Sequence, residues 1–441
     1  MKNTNTIVAI ATPHGTGGVG IIRLSGENSL SILKKIFFPI KDQEFTPKKM
    51  IFGNVLFNGI SDDCLAVYFK SPNSFTGEDV VEIQMHGGMK LLEETLKELL
   101  SVGATMAMPG EFSKRAVLNG KMDITEAEGL IDMINAQSVA EMQVASSQMQ
   151  GKLFQKVTLM QKALTELIAH IEVALDFPEH EETFAEEKLA DELPKIRETL
   201  KTLIGTESFG SQIKNGVNIA LVGKPNVGKS SLLNALVGFD RAIVTSIAGT
   251  TRDTICESYE FKGVRFNVVD TAGIRESSDL VEQEGIKRAK QSVENCDFVL
   301  KVYDSEEILN DSEEILSLST KNFATVLNKS DLNSNTSKQF DIAVSAKNST
   351  GIEELKNLIY EKTIDKNLIS SQVIITNLRH SELLKKVDFV LEKAQKDLSL
   401  VSLDCVAVLI RQAWDLLGQI TGETSNEKII DTIFSKFCLG K

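Results

Sequence analysis

Hydrophobic and polar positions change their rhythm three times along the chain. Up to about residue 118, short apolar runs mix with helical stretches. Thr6–Ala11 and Ile21–Leu24 read as strands flanking a glycine-rich loop, Pro13–Gly20, and Cys64–Phe69 and Val80–Met85 read as two more. Glu27–Phe38 sets Leu30, Leu33, Ile36 and Phe37 at helical spacing, and Leu91–Leu100 is an amphipathic helix. From 119 to 210 the period is helical. Ile124–Ile134 is one helix, and Ser138–Phe177 runs almost unbroken, with no proline before Pro178. The acidic stretch Phe177–Glu187 reads as a solvated connection, Leu193–Ile204 as a helix and Ser208–Gly216 as a linker.

Beyond that linker, strand-length apolar runs return at Val217–Val222, Phe266–Val269, Ala324–Leu327 and Ile342–Val344, and Gly351–Ile359 closes the region as an amphipathic helix. After a link at Asn367–Thr376, helical spacing resumes over Arg379–Leu400, Val401–Thr421 and Glu427–Phe437. The simplest arrangement packs these last helices on those of 119–210. The expected fold is therefore multidomain α/β plus all-α. It has an N-terminal α+β domain (1–118), a helical bundle domain (119–210 and 367–441) and an inserted Ras-like P-loop domain (216–362).

Each apolar run of the inserted region is followed by a polar motif. Gly223-Lys-Pro-Asn-Val-Gly228-Lys229-Ser230 lies between a strand and a helix, the context a phosphate loop needs. Its glycines turn backbone N–H groups toward phosphate oxygens, Lys229 brings a charge to the terminal phosphates, and the Ser230 hydroxyl suits Mg²⁺. Asn226, Val227, Gly228 and Ser231 belong to the same cradle. Asp270-Thr271-Ala272-Gly273 puts an acid at a strand end, fitted to a metal-linked carboxylate and a γ-phosphate sensor. Asn328-Lys329-Ser-Asp331 supplies a carboxylate that can accept both the ring N–H and the amino group of guanine, which selects GTP over ATP. Ser345-Ala346-Lys347 offers backbone contacts to the base. The four motifs in order point to a GTPase. Ile274 stands where a Ras-type enzyme carries a water-orienting Gln, so another group must place the water.

Charge and composition narrow the partners. The net charge of −13 excludes a nucleic-acid grip by bulk charge, so any RNA contact is local or shared. Five scattered cysteines without a C-x-x-C pair fit a reducing compartment and exclude a cysteine zinc ribbon. His14 and His86 have no second ligand at metal spacing and read as loop or packing residues. No basic leader precedes a long apolar core, and no run reaches the roughly 20 residues of a membrane helix, so the expectation is a cytoplasmic protein without membrane contact.

The stretches ATPHGTGGVGIIRLSG, SPNSFTGEDVVEIQMHGG, MPGEFSKRAVLNGKMDITEAEGLIDMI, the GTPase motifs and the ending FCLGK together resemble the tRNA-modification GTPase MnmE (TrmE) family over essentially the whole chain. Cys438-Leu439-Gly440-Lys441 departs from the family's usual Cys-Ile-Gly-Lys ending by one residue. The resemblance implies an N-terminal domain that binds a one-carbon tetrahydrofolate such as 5-formyltetrahydrofolate and forms the homodimer. Folate contacts are implied at Arg23, Glu82, Lys121 and Lys441. It implies a heterotetramer with the flavoprotein MnmG and modification of the wobble uridine of certain tRNAs with an aminomethyl-type (carboxymethylaminomethyl) group.

In the GTPase region the resemblance implies that Glu282 acts on the attacking water, with Glu284 as rival and a solvated helix face as the bland alternative. It implies K⁺ at Asn226 with Thr245, Ile247 and Thr250, and Mg²⁺ at Ser230 and Thr251. Cys438 is either a participant in the chemistry or a buried thiol near a helix end. A competing reading of the GTPase motifs is a binding switch in ribosome assembly. That class predicts an appended basic RNA-binding module, and the chain shows none.

Overall fold

A computed structural model of the protein describes residues 5–224, 226–238, 256–270, 296–305, 322–332, 340–365, 373–424, 427–438 and 440. The chain forms two compact units. One comprises Met1–Ile131, Gln148–Leu189 and Lys396–Lys441, the other Asp132–Ser147 and Ala190–Gln395.

In the first unit, seven strands among the described residues make one sheet. They are β1 (Ile7–Ile10), β2 (Val19–Ser25), β3 (Phe37–Pro39), β4 (Met50–Phe57), β5 (Ile60–Phe69), β6 (Val80–His86) and β7 (Thr105–Met106), in the order β3-β4-β5-β6-β2-β1-β7. Helices α1 (Ser29–Ile36) and α2 (Met89–Ser101) cover one face. Ile32, Leu33, Ile36, Leu92, Leu96 and Leu99 pack there on Ile22, Leu24, Ile51, Val55, Val81 and Ile83. The opposite face carries the row Arg23, Glu82, Val67 and Met50, aligned by register across four strands. On that face Phe38, Met50, Phe52 and Leu56 are exposed. The expected helix over Glu27–Phe38 ends at Ile36. Phe37 turns extended (φ −107°, ψ 128°) and enters an edge strand with Pro39, because a residue close before proline favours the extended region and proline has no N–H to continue a helix.

Helix α3 (Glu111–Leu118) leads to α4 (Ile124–Asn135) and α5 (Val139–Met149). The helical stretch Ser138–Phe177, expected to run almost unbroken, is two helices, because Gly151 (φ +70°) separates α5 from α6 (Lys152–Asp176). The acidic stretch after Phe177 is also helical. It opens α7 (Pro178–Gly205), whose first residue is a proline, where a missing N–H is harmless.

In the second unit, six strands among the described residues form a sheet. They are β8 (Val217–Val222), β9 (Cys256–Phe261), β10 (Val264–Asp270), β11 (Phe298–Tyr303), β12 (Phe323–Leu327) and β13 (Ile342–Ala343). The order is β13-β12-β11-β8-β10-β9, parallel except for β9. The stretch Ser208–Gly216, expected as a linker, is mostly helix α8 (Glu207–Asn215), with Phe209 and Ile213 buried in the core. Leu232 and Leu236 of α9 (Lys229–Val237) and Leu355 and Ile359 of α10 (Ile352–Thr363) close the same core over Ile219, Leu221, Phe266, Phe298, Leu300 and Val326. Arg197 of α7 ties that helix to α11 (Leu378–Asp397) through Asp388 at 2.8 Å and Gln395 at 2.9 Å.

Returning to the first unit, α6 packs along α12 (Leu403–Thr421), with Leu164 and Ile171 on one helix and Ile410 and Leu417 on the other buried. The last helix, α13 (Glu427–Phe434), brings Ile430 and Phe434 onto Ile124 and Ala127.

Candidate functional sites

Strand β8 lies at the point where strand order reverses, with β10 on one side and β11 on the other. In open α/β sheets the crevice beyond the strand ends at such a point is where ligands bind. The loop leaving β8 there is Gly223–Gly228, and α9 begins at Lys229. Gly228 holds φ +91° and a Cβ on it would collide with Asn328 Nδ2, so glycine is required twice over. Lys229 is buried, and its ammonium donates to the carbonyls of Gly223 at 2.7 Å and Lys224 at 2.8 Å. That pins the charge inside the loop, while Ser230 and Ser231 are exposed on the first turn of α9. First-turn N–H groups and the helix dipole favour an anion there.

The Asn328–Asp331 motif sits at the end of β12. Asn328 is buried and donates through Nδ2 to Val227 O at 2.9 Å, while its Oδ1 accepts from Ala346 N at 3.1 Å. One side chain thus joins the phosphate loop to the Ser345–Ala346 segment. Lys329 Nζ donates to Asn226 O at 2.7 Å and pairs with Asp304 Oδ2 at 2.9 Å. Ser345 Oγ, itself buried, donates to Asp331 Oδ1 at 2.6 Å. That hydrogen bond, helped by Lys347, holds the Asp331 carboxyl below its ordinary range, so it stays an acceptor at neutral pH.

The structure therefore brings together Asn226, Val227, Gly228, Lys229, Ser230, Asn328, Lys329, Asp331, Ser345 and Ala346. Asp270 is the last residue of β10 and pairs in register with Leu221 of β8, which puts its backbone on the same rim. Thr245, Ile247, Thr250, Thr251, Thr271, Ala272, Gly273, Glu282 and Glu284 lie outside the described residues. Asp304, one residue past β11, was not anticipated. An acid after a strand reads as a turn residue, and its pairing with Lys329 spans 25 positions.

In the first unit Arg23 and Glu82 face each other across β2 and β6 and form an ion pair at 2.8 Å. The rings of Phe75 and Phe112 lie 5.7 Å and 5.8 Å from the Arg23 guanidinium carbon, a cation–π arrangement that apolar spacing could not announce. Arg23 also donates to Gly440 O at 3.4 Å. Gly440, at φ +89°, packs so closely on Ile10 and Ala11 that a Cβ would strike the Ile10 carbonyl. The C-terminal tail thus reaches the Arg23–Glu82 pair. Lys121 donates to Pro72 O at 3.1 Å and lies along Gly77; Lys441 is outside the described residues. Cys438 is exposed, which rules out the buried-thiol reading. His86 is exposed and bonded to Asp62 at 2.5 Å, and Asp62 raises its pKa. Among the described residues no group of His, Cys, Asp and Glu is arranged to hold a metal, and no helix is long and apolar enough to cross a membrane.

Comparison with known proteins gives full-length likeness. Residues 6–121 match the family model for the GTP-binding protein TrmE N-terminus, and residues 124–438 match that for the MnmE helical domain. The chain is 42% identical to the tRNA modification GTPase MnmE of Aquifex aeolicus, with 99% of each chain covered. It is 40% identical to that of Acetivibrio thermocellus, with 100% of each covered, and 39% identical to that of Clostridioides difficile, with 99% of each covered. With two family models spanning nearly its whole length and relatives matched end to end, this chain belongs to the MnmE family of tRNA modification GTPases.

Proposed function

We propose that the chain hydrolyses GTP in the service of tRNA wobble-uridine modification, in the cytoplasm, as a homodimer that works with the MnmG flavoprotein. The observation that carries the GTPase half is the Asn328 side chain. It bonds the phosphate loop at Val227 and the base-reading loop at Ala346, so phosphate and guanine contacts are set by one residue. The family membership carries the tRNA half. The exposed apolar face of β3 and β4, with Phe38, Met50, Phe52 and Leu56, supports a homodimer formed through the N-terminal domain. The domain division we adopt is 1–118, 119–210 with 367–441, and 216–362.

In this reading Lys229, already held inside the loop, needs only to exchange carbonyl partners for phosphate oxygens. Asp331, kept ionised, accepts the ring N–H and amino group of guanine. Ser345 and Ala346 meet the base from the backbone side. Glu282 orients the attacking water, since Ile274 cannot. The exposed Ser230 hydroxyl, a hard oxygen donor at a helix start, fits Mg²⁺ with Thr251, and Asn226, exposed beside the phosphate loop, fits K⁺ with Thr245, Ile247 and Thr250. When bound, these cations supply positive charge against the phosphates, the task an arginine finger performs elsewhere for about 10³–10⁵ in rate. Arg23, Glu82, Lys121 and Lys441 form the 5-formyltetrahydrofolate site. The Arg23–Glu82 pair offers both a donor and an acceptor to a pterin edge, and the exposed Phe75 ring beside it is an apolar wall, with Phe112 buried behind the guanidinium.

The test is phosphate release from GTP and ATP in KCl against NaCl at equal ionic strength, with mass spectrometry of wobble uridine in a strain lacking the protein. GTP-selective, K⁺-raised turnover and loss of the modification are expected. Equal use of ATP removes the nucleotide reading, equal rates in both salts remove the K⁺ reading, and unchanged wobble uridine removes the tRNA reading.

A further inference from the structure

The ammonium of Lys329 is gripped from two sides. It donates to the Asn226 carbonyl at 2.7 Å and to Asp304 Oδ2 at 2.9 Å. Asn226 and Lys329 are both non-glycine residues at positive φ, +68° and +58°, a conformation that persists only where neighbours hold it. A lysine is a point charge on a flexible stem and by itself fixes nothing. What steadies this one is the carboxylate. Asp304 sits one residue past β11, and the strand end is itself tied to the base-reading loop by the Asn328 N–H donating to Tyr303 O at 2.7 Å. The carboxylate is therefore carried by a rigid strand end, whereas both residues it steadies lie in loops.

We propose that Asp304 is a positioning residue of the guanine-nucleotide site. Acting through Lys329, it holds the Asn226 carbonyl, and with it the left-handed turn of the phosphate loop, in the shape that receives nucleotide. The inference rests on the GTPase reading above. Asp304 touches no nucleotide. Its effect travels along the chain Asp304–Lys329–Asn226 and falls on affinity for GTP and GDP alike, because the shared guanosine and β-phosphate surroundings are what the chain shapes. The competing view is a partly exposed ion pair of small worth, with the side chains 28% and 36% exposed.

A double-mutant cycle separates the two. Dissociation constants for a fluorescent GTP analogue and for GDP are measured on the full-length protein, Asp304→Ala, Lys329→Ala and the double variant. The expected result is about tenfold weaker binding of both nucleotides in Asp304→Ala, as befits a lost charge-assisted hydrogen bond, and less than about twofold further loss when Asp304→Ala is added to Lys329→Ala. Asp304→Asn, near-isosteric and uncharged, makes the same comparison if the alanine variant does not fold. An equal loss in both backgrounds, or no loss at all in Asp304→Ala, overturns the inference. The unmodified protein is measured first. If it fails to bind GTP, the GTPase reading itself falls; if it binds and the cycle is additive, only the role of Asp304 does.

Discussion

Ser345 and Asp331 are joined by a hydrogen bond of 2.6 Å in which a fully buried hydroxyl donates to an exposed carboxylate. The hydroxyl orients the acid and lowers its pKa. Ser345→Ala is expected to raise the Asp331 pKa toward its ordinary 3.8 and to weaken GTP binding about three- to tenfold. NMR titration of the carboxyl carbon and calorimetry with GTP check both. Because the folded value is depressed, the bond's contribution is present at neutral pH and is lost as pH falls through that value. Asp331→Asn, which reverses one donor–acceptor pairing, is expected to weaken GTP and admit xanthine nucleotide.

Gly228→Ala places a methyl group against Asn328 Nδ2 at a backbone conformation of φ +91°. The expected outcome is loss of detectable GTP binding and a destabilisation of about 1–3 kcal/mol. Calorimetry and urea unfolding measure the two separately. Retained GTP affinity would show that Asn328 can leave Val227 without consequence.

Gly440→Ala collides with the Ile10 carbonyl and displaces the tail from Arg23. Binding of 5-formyltetrahydrofolate, read by calorimetry, is expected to fall by about tenfold or more, the equivalent of roughly 1.4 kcal/mol. GTP affinity is expected to stay at its original value. Undiminished folate binding would place the folate elsewhere than beside the tail.

His86 is expected to titrate above its ordinary 6.5 because the Asp62 carboxylate bonds and attracts its protonated ring. Since the folded value is raised, the pair's stabilisation is complete below the unfolded pKa and is lost as pH rises through the folded one. Proton NMR of the imidazole follows the midpoint. Asp62→Asn is expected to bring it down toward 6.5, and an unmoved midpoint would assign the shift to another charge.

The nucleotide half was legible in the sequence for a physical reason. β8, β10 and β12 lie inside a largely parallel sheet, so each reads as an apolar run ending where its motif begins, whereas β11, interrupted by Lys301 and followed by no motif, was not legible. Strand β4 was not legible. Met50, Phe52 and Leu56 point outward yet are apolar, so the alternation that announces a half-buried strand is missing. Acidic residues and a proline disguised the start of α7 as a loop, although Pro178 stands at a helix position that tolerates it. Gly151 divides a stretch whose apolar spacing continues on both sides, so periodicity could not show the break. At the sites, the motifs gave residue types but not partners. Asp304 on Lys329, and Gly440 on Arg23, are long-range pairings that only the folded chain creates.

The contact between Arg23 and the Gly440 carbonyl spans 417 positions. During synthesis, at about 5–20 residues per second, β2 therefore waits roughly 20–80 s for the residue that completes its surroundings. The N-terminal sheet can form early, but the surroundings of Arg23 are finished only after the ribosome has passed Gly440. A truncated product carries the sheet and a complete phosphate loop and lacks the tail. Placing Gly440 beside Arg23 makes an early-made sheet depend on residues made 417 positions later, so the surroundings of Arg23 are complete only in chains translated past Gly440.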